Sequence, residues 1–355
     1  MKPTTDQEVQ EAVRELSTLT PVAGGSKPAL STPTDGIAQL DVSGLCGVLD
    51  YIPEEFTFTA LAGTQLTEIN ALLAANDQYL PFDPPLAHRG ATLGGTLAAG
   101  LSGPGRYRYG GVRDFILGVQ FVTGAGELVR AGGKVVKNAA GFDFPKLLVG
   151  SLGRLGVLTE VSFKVFPDPD AYITLRVDCQ DLESALNSLM QLTTVSLDIA
   201  ALDLEPPTTL WIRLAGFSDV ILSRLERVYP YTGRGEIVQG EQELTLWRRV
   251  RDFEWVVESW NLVKVPITPG RISALESELQ KTNASRRYSV GGNVAWIAWP
   301  PDEDGLDGLL HGLGLEGLRI FGEAGCPFLG MRPPTMFATR VKHALDPHNR
   351  FPKIA

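Results

Sequence analysis

Apolar residues in the first half of the chain come in short runs separated by glycine, and their spacing alternates between helical and extended periods. Val9, Val13 and Leu16 recur at helical spacing behind Thr5 and Glu8, a capping-box pair, which predicts an amphipathic surface helix. Between residues 21 and 167, the β-rich runs at 37–42, 57–61, 115–123 and 157–166 read as strands. Residues 67–75, a segment opening near Gly94, and residues 144–149 read as helices. Gly124-Ala125-Gly126 stands between Val119-Gln120-Phe121-Val122 and Leu128-Val129 and predicts a hairpin turn.

The texture changes after Phe166-Pro167-Asp168-Pro169-Asp170, a proline-rich acidic stretch that marks a domain boundary. Beyond it, strand patterns at 173–177, 199–204 and 210–214 alternate with helical patterns at 182–192 and 220–228. A long helical pattern over 241–262 carries Trp247, Trp255 and Trp260, which read first as core. The order predicts an α+β fold: a glycine-rich domain over 1–167, a smaller α+β domain with an antiparallel sheet over 168–330, and a tail, 331–355, returning to the first domain.

A length of 355 residues accommodates about two domains of ordinary size. Hydrophobic residues at 44% and charged residues at 21% are an ordinary globular balance. A net charge of -9 sets the long-range field against a phosphate backbone, so nucleic acid is not an expected partner. The first sixteen residues lack the apolar core of a signal peptide and no run of about 20 apolar residues occurs. The expected location is therefore the cytoplasm, with any membrane association arising through a partner. Cys46, Cys179 and Cys326 are too few and too far apart for an iron-sulfur cluster or a structural zinc site, so no metal is expected.

Three glycine-rich segments carry the candidate chemistry: Pro21-Val22-Ala23-Gly24-Gly25-Ser26-Lys27, Gly90-Ala91-Thr92-Leu93-Gly94-Gly95-Thr96, and Gly150-Ser151-Leu152-Gly153-Arg154-Leu155-Gly156-Val157. Any one of them alone serves as a tight turn. Together they suit a pyrophosphate, because glycine lets successive N–H groups converge on an anionic oxygen. Ser26 or Thr92 adds a hydroxyl donor, and a helix opening near Gly94 would aim its positive end at the same anion, making two walls around one diphosphate. None of the segments meets the G-x-G-x-x-G fingerprint or the phosphate-binding P-loop pattern, which removes Rossmann and ATPase readings.

In order along residues 20–167, the chain resembles the FAD-binding domain of the vanillyl-alcohol oxidase and p-cresol methylhydroxylase (PCMH) type. The resemblance is tightest in Pro84-Pro85, Ala91-Thr92-Leu93-Gly94-Gly95, Arg113-Asp114, Leu117-Gly118, Lys137-Asn138-Ala139-Ala140-Gly141-Phe142-Asp143 and Gly153-Arg154-Leu155-Gly156-Val157-Leu158-Thr159. Within that superfamily the motifs are similar to those of the flavin-bearing subunits of multi-subunit glycolate oxidases. The resemblance implies a two-subdomain FAD-binding domain followed by a cap. It implies that Gly24, Gly25, Ser26 and Lys27 contact the diphosphate and ribityl region and that Ala91, Thr92, Gly94 and Gly95 line its other side. Gly156, Val157 and Leu158 would present main-chain groups to FAD, with Gly150, Ser151 and Gly153 shaping the turn. Some members tether flavin through a histidine near the first loop; Ala23-Gly24-Gly25-Ser26-Lys27 has none, so non-covalent FAD is expected.

His88 and Arg89, just before Gly90, are the catalytic candidates, as base and anion-binder, against a plain solvated loop. His343 and His348 are poorly spaced for metal and read as surface residues. Arg106, Tyr107, Arg108, Tyr109 and Arg113 form a basic, aromatic patch suited to a carboxylate or phosphate, or equally to an exposed loop or a subunit contact, with Arg113 paired to Asp114. Catalytic 2-hydroxy-acid dehydrogenases of the superfamily carry a histidine-rich segment in the later domain; the comparable stretch here, Ser289-Val290-Gly291-Gly292-Asn293-Val294-Ala295-Trp296, has no histidine. The resemblance therefore implies a subunit that relays electrons or supports assembly beside a homologous catalytic flavoprotein and an iron-sulfur subunit, in a complex converting glycolate to glyoxylate. The competing readings are a self-sufficient FAD-dependent dehydrogenase of D-lactate or glycolate, and a scaffold that has lost its flavin.

Overall fold

The computed structural model describes residues 1–31, 36–133, 143–322, 325–332 and 336–353. The chain divides into two compact units, the first comprising Met1–Ser102, Gly111–Asp168 and Pro333–Ala355, the second Gly103–Gly110 and Pro169–Arg332.

In the first unit, β1 (Leu19–Val22) and β2 (Ala38–Asp41) pair in parallel. A five-stranded antiparallel sheet follows, built from β3 (Val48–Ile52), β4 (Thr57–Leu61), β6 (Ile116–Val122), β7 (Leu128–Gly132) and β8 (Val157–Lys164), in the order β3-β4-β8-β6-β7. Two-residue strands β5 (Gln78–Tyr79) and β9 (Phe166–Pro167) pair separately. The β6–β7 turn is the hairpin that the Gly-Ala-Gly run predicts, closed by Thr123 N–H on Glu127 O at 2.9 Å. The Asp6–Glu15 helix is capped by Thr5, whose hydroxyl accepts from Glu8 N–H. Its Val9, Ala12 and Val13 pack with Leu19, Leu40, Leu45, Val122 and Val157.

Phe351 joins that same cluster. Buried Asp346 organises this return: its Oδ2 accepts from Lys342 Nζ at 2.6 Å and Phe351 N–H at 2.9 Å, and its Oδ1 from Arg350 N–H at 2.8 Å. Lys342 Nζ also donates to the carbonyls of Arg154 and Phe351. Leu19 N–H, at the start of β1, donates to Arg350 O at 2.7 Å, and the Arg350 guanidinium donates to the carbonyls of Val13 and Leu16.

The second unit holds a nine-stranded antiparallel sheet: β10 (Ala171–Asp178), β11 (Ile199–Glu205), β12 (Thr209–Gly216), β13 (Glu236–Gln239), β14 (Asn261–Pro266), β15 (Ser285–Ser289), β16 (Val294–Trp299), β17 (Glu316–Phe321) and β18 (Phe328–Gly330). Their order is β13-β10-β12-β11-β15-β16-β14-β17-β18. Period-two alternation puts Ile173, Leu175, Leu210, Ile212, Leu214, Tyr288 and Ile297 into a core shared with helices Leu182–Thr194, Ile221–Glu226, Ile272–Leu279 and Leu306–Gly312. The intervening positions carry buried ion pairs. Arg287 Nε lies 2.8 Å from Asp203, and Arg213 Nε lies 2.7 Å from Glu243 on helix Glu241–Arg251. Burial pushes the Asp203 carboxyl up, opposed by Arg287 and by the Ser289 hydroxyl.

One expected element is shorter than its periodicity suggests. The helical pattern over 241–262 stops at Arg251, and Leu262 lies on β14. The break falls at Phe253, which takes a left-handed backbone (φ 57°) and packs its ring, tilted, against Trp296 with centroids 4.5 Å apart and edge-on to Phe321. Aromatic packing from two distant strands outweighs local helical preference there. Trp247 remains core, while Trp255 and Trp260 are half-buried beyond the helix.

Candidate functional site

Gly24, Gly25, Ser26, Lys27, Thr92, Gly94, Gly95, Ser151, Gly153, Gly156 and Leu158 line one cavity of the first unit, about 740 Å³ including its open mouth. Pro21, Val22, Ala23, Leu30, Ser31, Val42, Ala62, Ala98, Ala99 and Leu152 complete the lining. Ala91, Gly150 and Val157 do not line it. Ala98 and Ala99 were legible in principle, because they fall three and four positions beyond Gly95 and so share its helical face.

The three glycine segments divide the work unequally. In the second, Thr92 caps helix Leu93–Ala99, its Oγ1 accepting Gly95 N–H at 3.2 Å. Leu93 N–H donates to Thr64 O, Gly94 N–H to Ala62 O and Thr96 N–H to Thr92 O. The opening turn of this helix therefore spends its donors on protein acceptors, and the second wall presents side chains and Cα atoms rather than free N–H groups. In the third segment Gly150, Ser151, Leu152 and Arg154 N–H donate to the carbonyls of Leu97, Leu148, Ala98 and Ser151, while those of Gly153 and Gly156 meet no protein acceptor among the described residues.

The first segment holds the longest run of unengaged donors. Among the described residues, the N–H groups of Gly24, Gly25, Ser26 and Lys27 donate to no protein acceptor. Gly25 is left-handed (φ 64°), the conformation that makes neighbouring N–H groups converge. A Cβ on Gly24 would lie 1.7 Å from Gly90 O, so the first segment can sit against the second only as glycine. Lys27 is buried at 7% exposure, and its Nζ donates to Ser26 Oγ at 2.9 Å. Burial pushes its ammonium from 10.5 down to about 8. Among the described residues, a run of N–H groups without protein acceptors beside a buried ammonium fits an anionic diphosphate.

Thr92→Ala, which removes the cap, is expected to lower stability by about 1 kcal/mol in denaturant unfolding, with Thr92→Ser recovering most of the loss. An unchanged midpoint would show that the cap contributes nothing.

His88 and Arg89 lie in the short turn Ala87–Arg89, both exposed and neither lining the cavity. Arg106, Tyr107, Arg108 and Tyr109 belong to the second unit, where Arg108 binds the Asp198 carbonyl at 2.7 Å and carboxylate at 3.4 Å. Tyr107 packs against the Gly291 turn, and burial pushes its hydroxyl up. Asp114 accepts Gly111 N–H at 2.8 Å as a helix cap, and Arg113 is exposed beside it. Lys137 and Asn138 lie outside the described residues. Among the described residues, no three His, Cys, Asp or Glu side chains come together as metal ligands, and no helix is long and apolar enough to cross a membrane.

Residues 1–132 match the family model of the FAD binding domain. The fold covers 98% of this chain and 74% of an alkyldihydroxyacetonephosphate synthase structure, with a TM-score of 0.74 at 16% sequence identity, a likeness of fold. Glycolate oxidase subunit GlcE of Escherichia coli is 33% identical over 343 residues, 96% of this chain and 93% of that protein. Glycolate oxidase subunit GlcD of Bacillus subtilis is 29% identical over 181 residues, 51% of this chain and 38% of that protein. These matches place the chain among the FAD-binding oxidoreductases of PCMH-type fold. It belongs to the family of the glycolate oxidase subunit GlcE.

Proposed function

We propose that this protein is a flavin-bearing subunit of a glycolate-oxidising complex, holding non-covalent FAD in the cavity of its first unit. The observation that carries the reading is the 24–27 cradle, four adjacent N–H groups without a protein acceptor among the described residues and a buried lysine, in a chain of this family. When bound, FAD supplies two-electron acceptance and onward transfer.

The chain's own residues hold and orient the cofactor. Gly24 to Lys27 bind the diphosphate, Gly94 and Gly95 allow close approach from the facing helix, and Leu152 and Leu158 supply apolar wall. A histidine-free Ser289 to Trp296 stretch, where the resemblance implies a histidine-rich segment in catalytic members of the superfamily, supports a relaying or assembly role beside a homologous catalytic flavoprotein and an iron-sulfur subunit. We place the protein in the cytoplasm on the same reading.

The visible spectrum of the purified chain, recorded before and after anaerobic glycolate or D-lactate, tests this. Flavin bands that persist with substrate, and dissociate from the polypeptide on denaturation, are the expected result. Bleaching by the isolated chain would instead establish a self-sufficient dehydrogenase, and no bands after FAD is supplied would sink the flavin assignment.

A further inference from the structure

Among the described residues, Lys27 has no charged neighbour in its cavity. The other residues lining its cavity are Gly, Ala, Ser, Thr, Pro, Val and Leu, so no other titratable side chain faces it there. Among the described residues the elements around it contribute neutral groups: Ser26 and Ser31 from its own segment and the Pro28–Ser31 helix, Val42 and Ala62, Thr92 to Ala99 from the facing helix, Ser151 to Gly153 from the third segment, and Leu158 from β8. Its amine reaches the Ser26 hydroxyl, while Ser31 Oγ binds the Lys27 carbonyl instead. Among the described residues no carboxylate comes within ion-pair distance of it.

A cation buried without a counter-charge loses hydration that nothing repays, so its proton is held weakly. A diphosphate carried into the same cavity supplies the missing negative charge. Resting on the assignment of this cavity to FAD, we propose that Lys27 makes cofactor capture a proton-uptake step, its amine binding a proton from solvent more tightly once the diphosphate is there to pair with it. One N–H bond forms, buffer loses the proton, and no electrons move.

The sign follows from linkage. Lys27 in the free chain titrates near 8, and pairing raises that value in the complex. Between the two values the complex holds more protons than its separated parts, so affinity falls as pH rises, by about tenfold per pH unit. Below the free value both states are protonated and affinity is flat.

The test is titration of FAD into the full, flavin-stripped chain, followed by flavin fluorescence and by calorimetry in buffers of different ionisation enthalpy. Binding is expected to weaken about tenfold between roughly pH 8.5 and 9.5, with close to one proton taken up per FAD at about pH 9 and almost none at about pH 6.5. Lys27→Arg keeps the charge without the titration and is expected to bind independently of pH; Lys27→Met is expected to bind weakly at every pH, with no uptake. FAD binding with no uptake at about pH 9, or the same pH slope in both variants, overturns the coupling and leaves the FAD site standing. Absence of FAD binding at every pH overturns both.

Discussion

Gly24→Ala will purify without flavin. The added Cβ meets Gly90 O at 1.7 Å and Gly90 C at 2.8 Å, and both atoms are backbone, so no rotamer change relieves the contact. The first and second glycine segments must part by about an ångström or more, at a cost of about 3 kcal/mol, the upper range for overpacking. Expressed in the cradle, that is a weakening of FAD affinity of about a hundredfold or more. Gly25→Ala is the control: a Cβ there meets nothing within 4 Å, and the remaining penalty is the left-handed backbone, about 1 kcal/mol. FAD titrations of the two variants side by side decide the matter. Equal affinities would show that close approach of the two segments is irrelevant to binding.

Asp346→Ala is expected to lower unfolding free energy by about 4 kcal/mol. Asp346 is fully buried, and its loss strands the Lys342 ammonium and the N–H groups of Arg350 and Phe351 in one stroke. Burial already pulls the Lys342 proton affinity down, and the Asp346 carboxylate is what opposes that pull. The damage extends to the cradle, because β1 leads directly into it and Leu19 N–H depends on Arg350 O. Denaturant unfolding should therefore show a lower midpoint, and flavin retention should fall with it. Stability within about 0.5 kcal/mol of the parent would mean the return segment is a passive cover.

Most strands of the five-stranded sheet, and β10, β11 and β12 of the nine-stranded one, are legible because period-two alternation and glycine turns are local signals, whereas β3 and β13 to β18 carry no pattern read from the sequence. The hairpin at Gly124 to Gly126 and the capped first helix followed from the same local chemistry. The helix over 241–262 was overread because Phe253 answers to Trp296 and Phe321, residues far along the chain. At the site, glycine content located all three segments but not their division of labour. Whether Gly94 N–H is free depends on Ala62 O, and whether Lys27 is isolated depends on what five other segments place around it. Those are tertiary facts without a sequence signature.

The bonds from Asp346, Arg350 and Phe351 to the first helix and β1 also fix an order of events during synthesis. A ribosome makes the 24–27 cradle early, then the entire second unit, and only afterwards the residues that pin the strand leading into the cradle. The first unit is thus assembled across an insertion, its earliest strand waiting on its latest turn, and its contacts carry a long loop-closure entropy. A nascent chain can form local hairpins and helices as it emerges, but the cavity lined by the 24–27 segment acquires its final packing only once the second unit has left the ribosome.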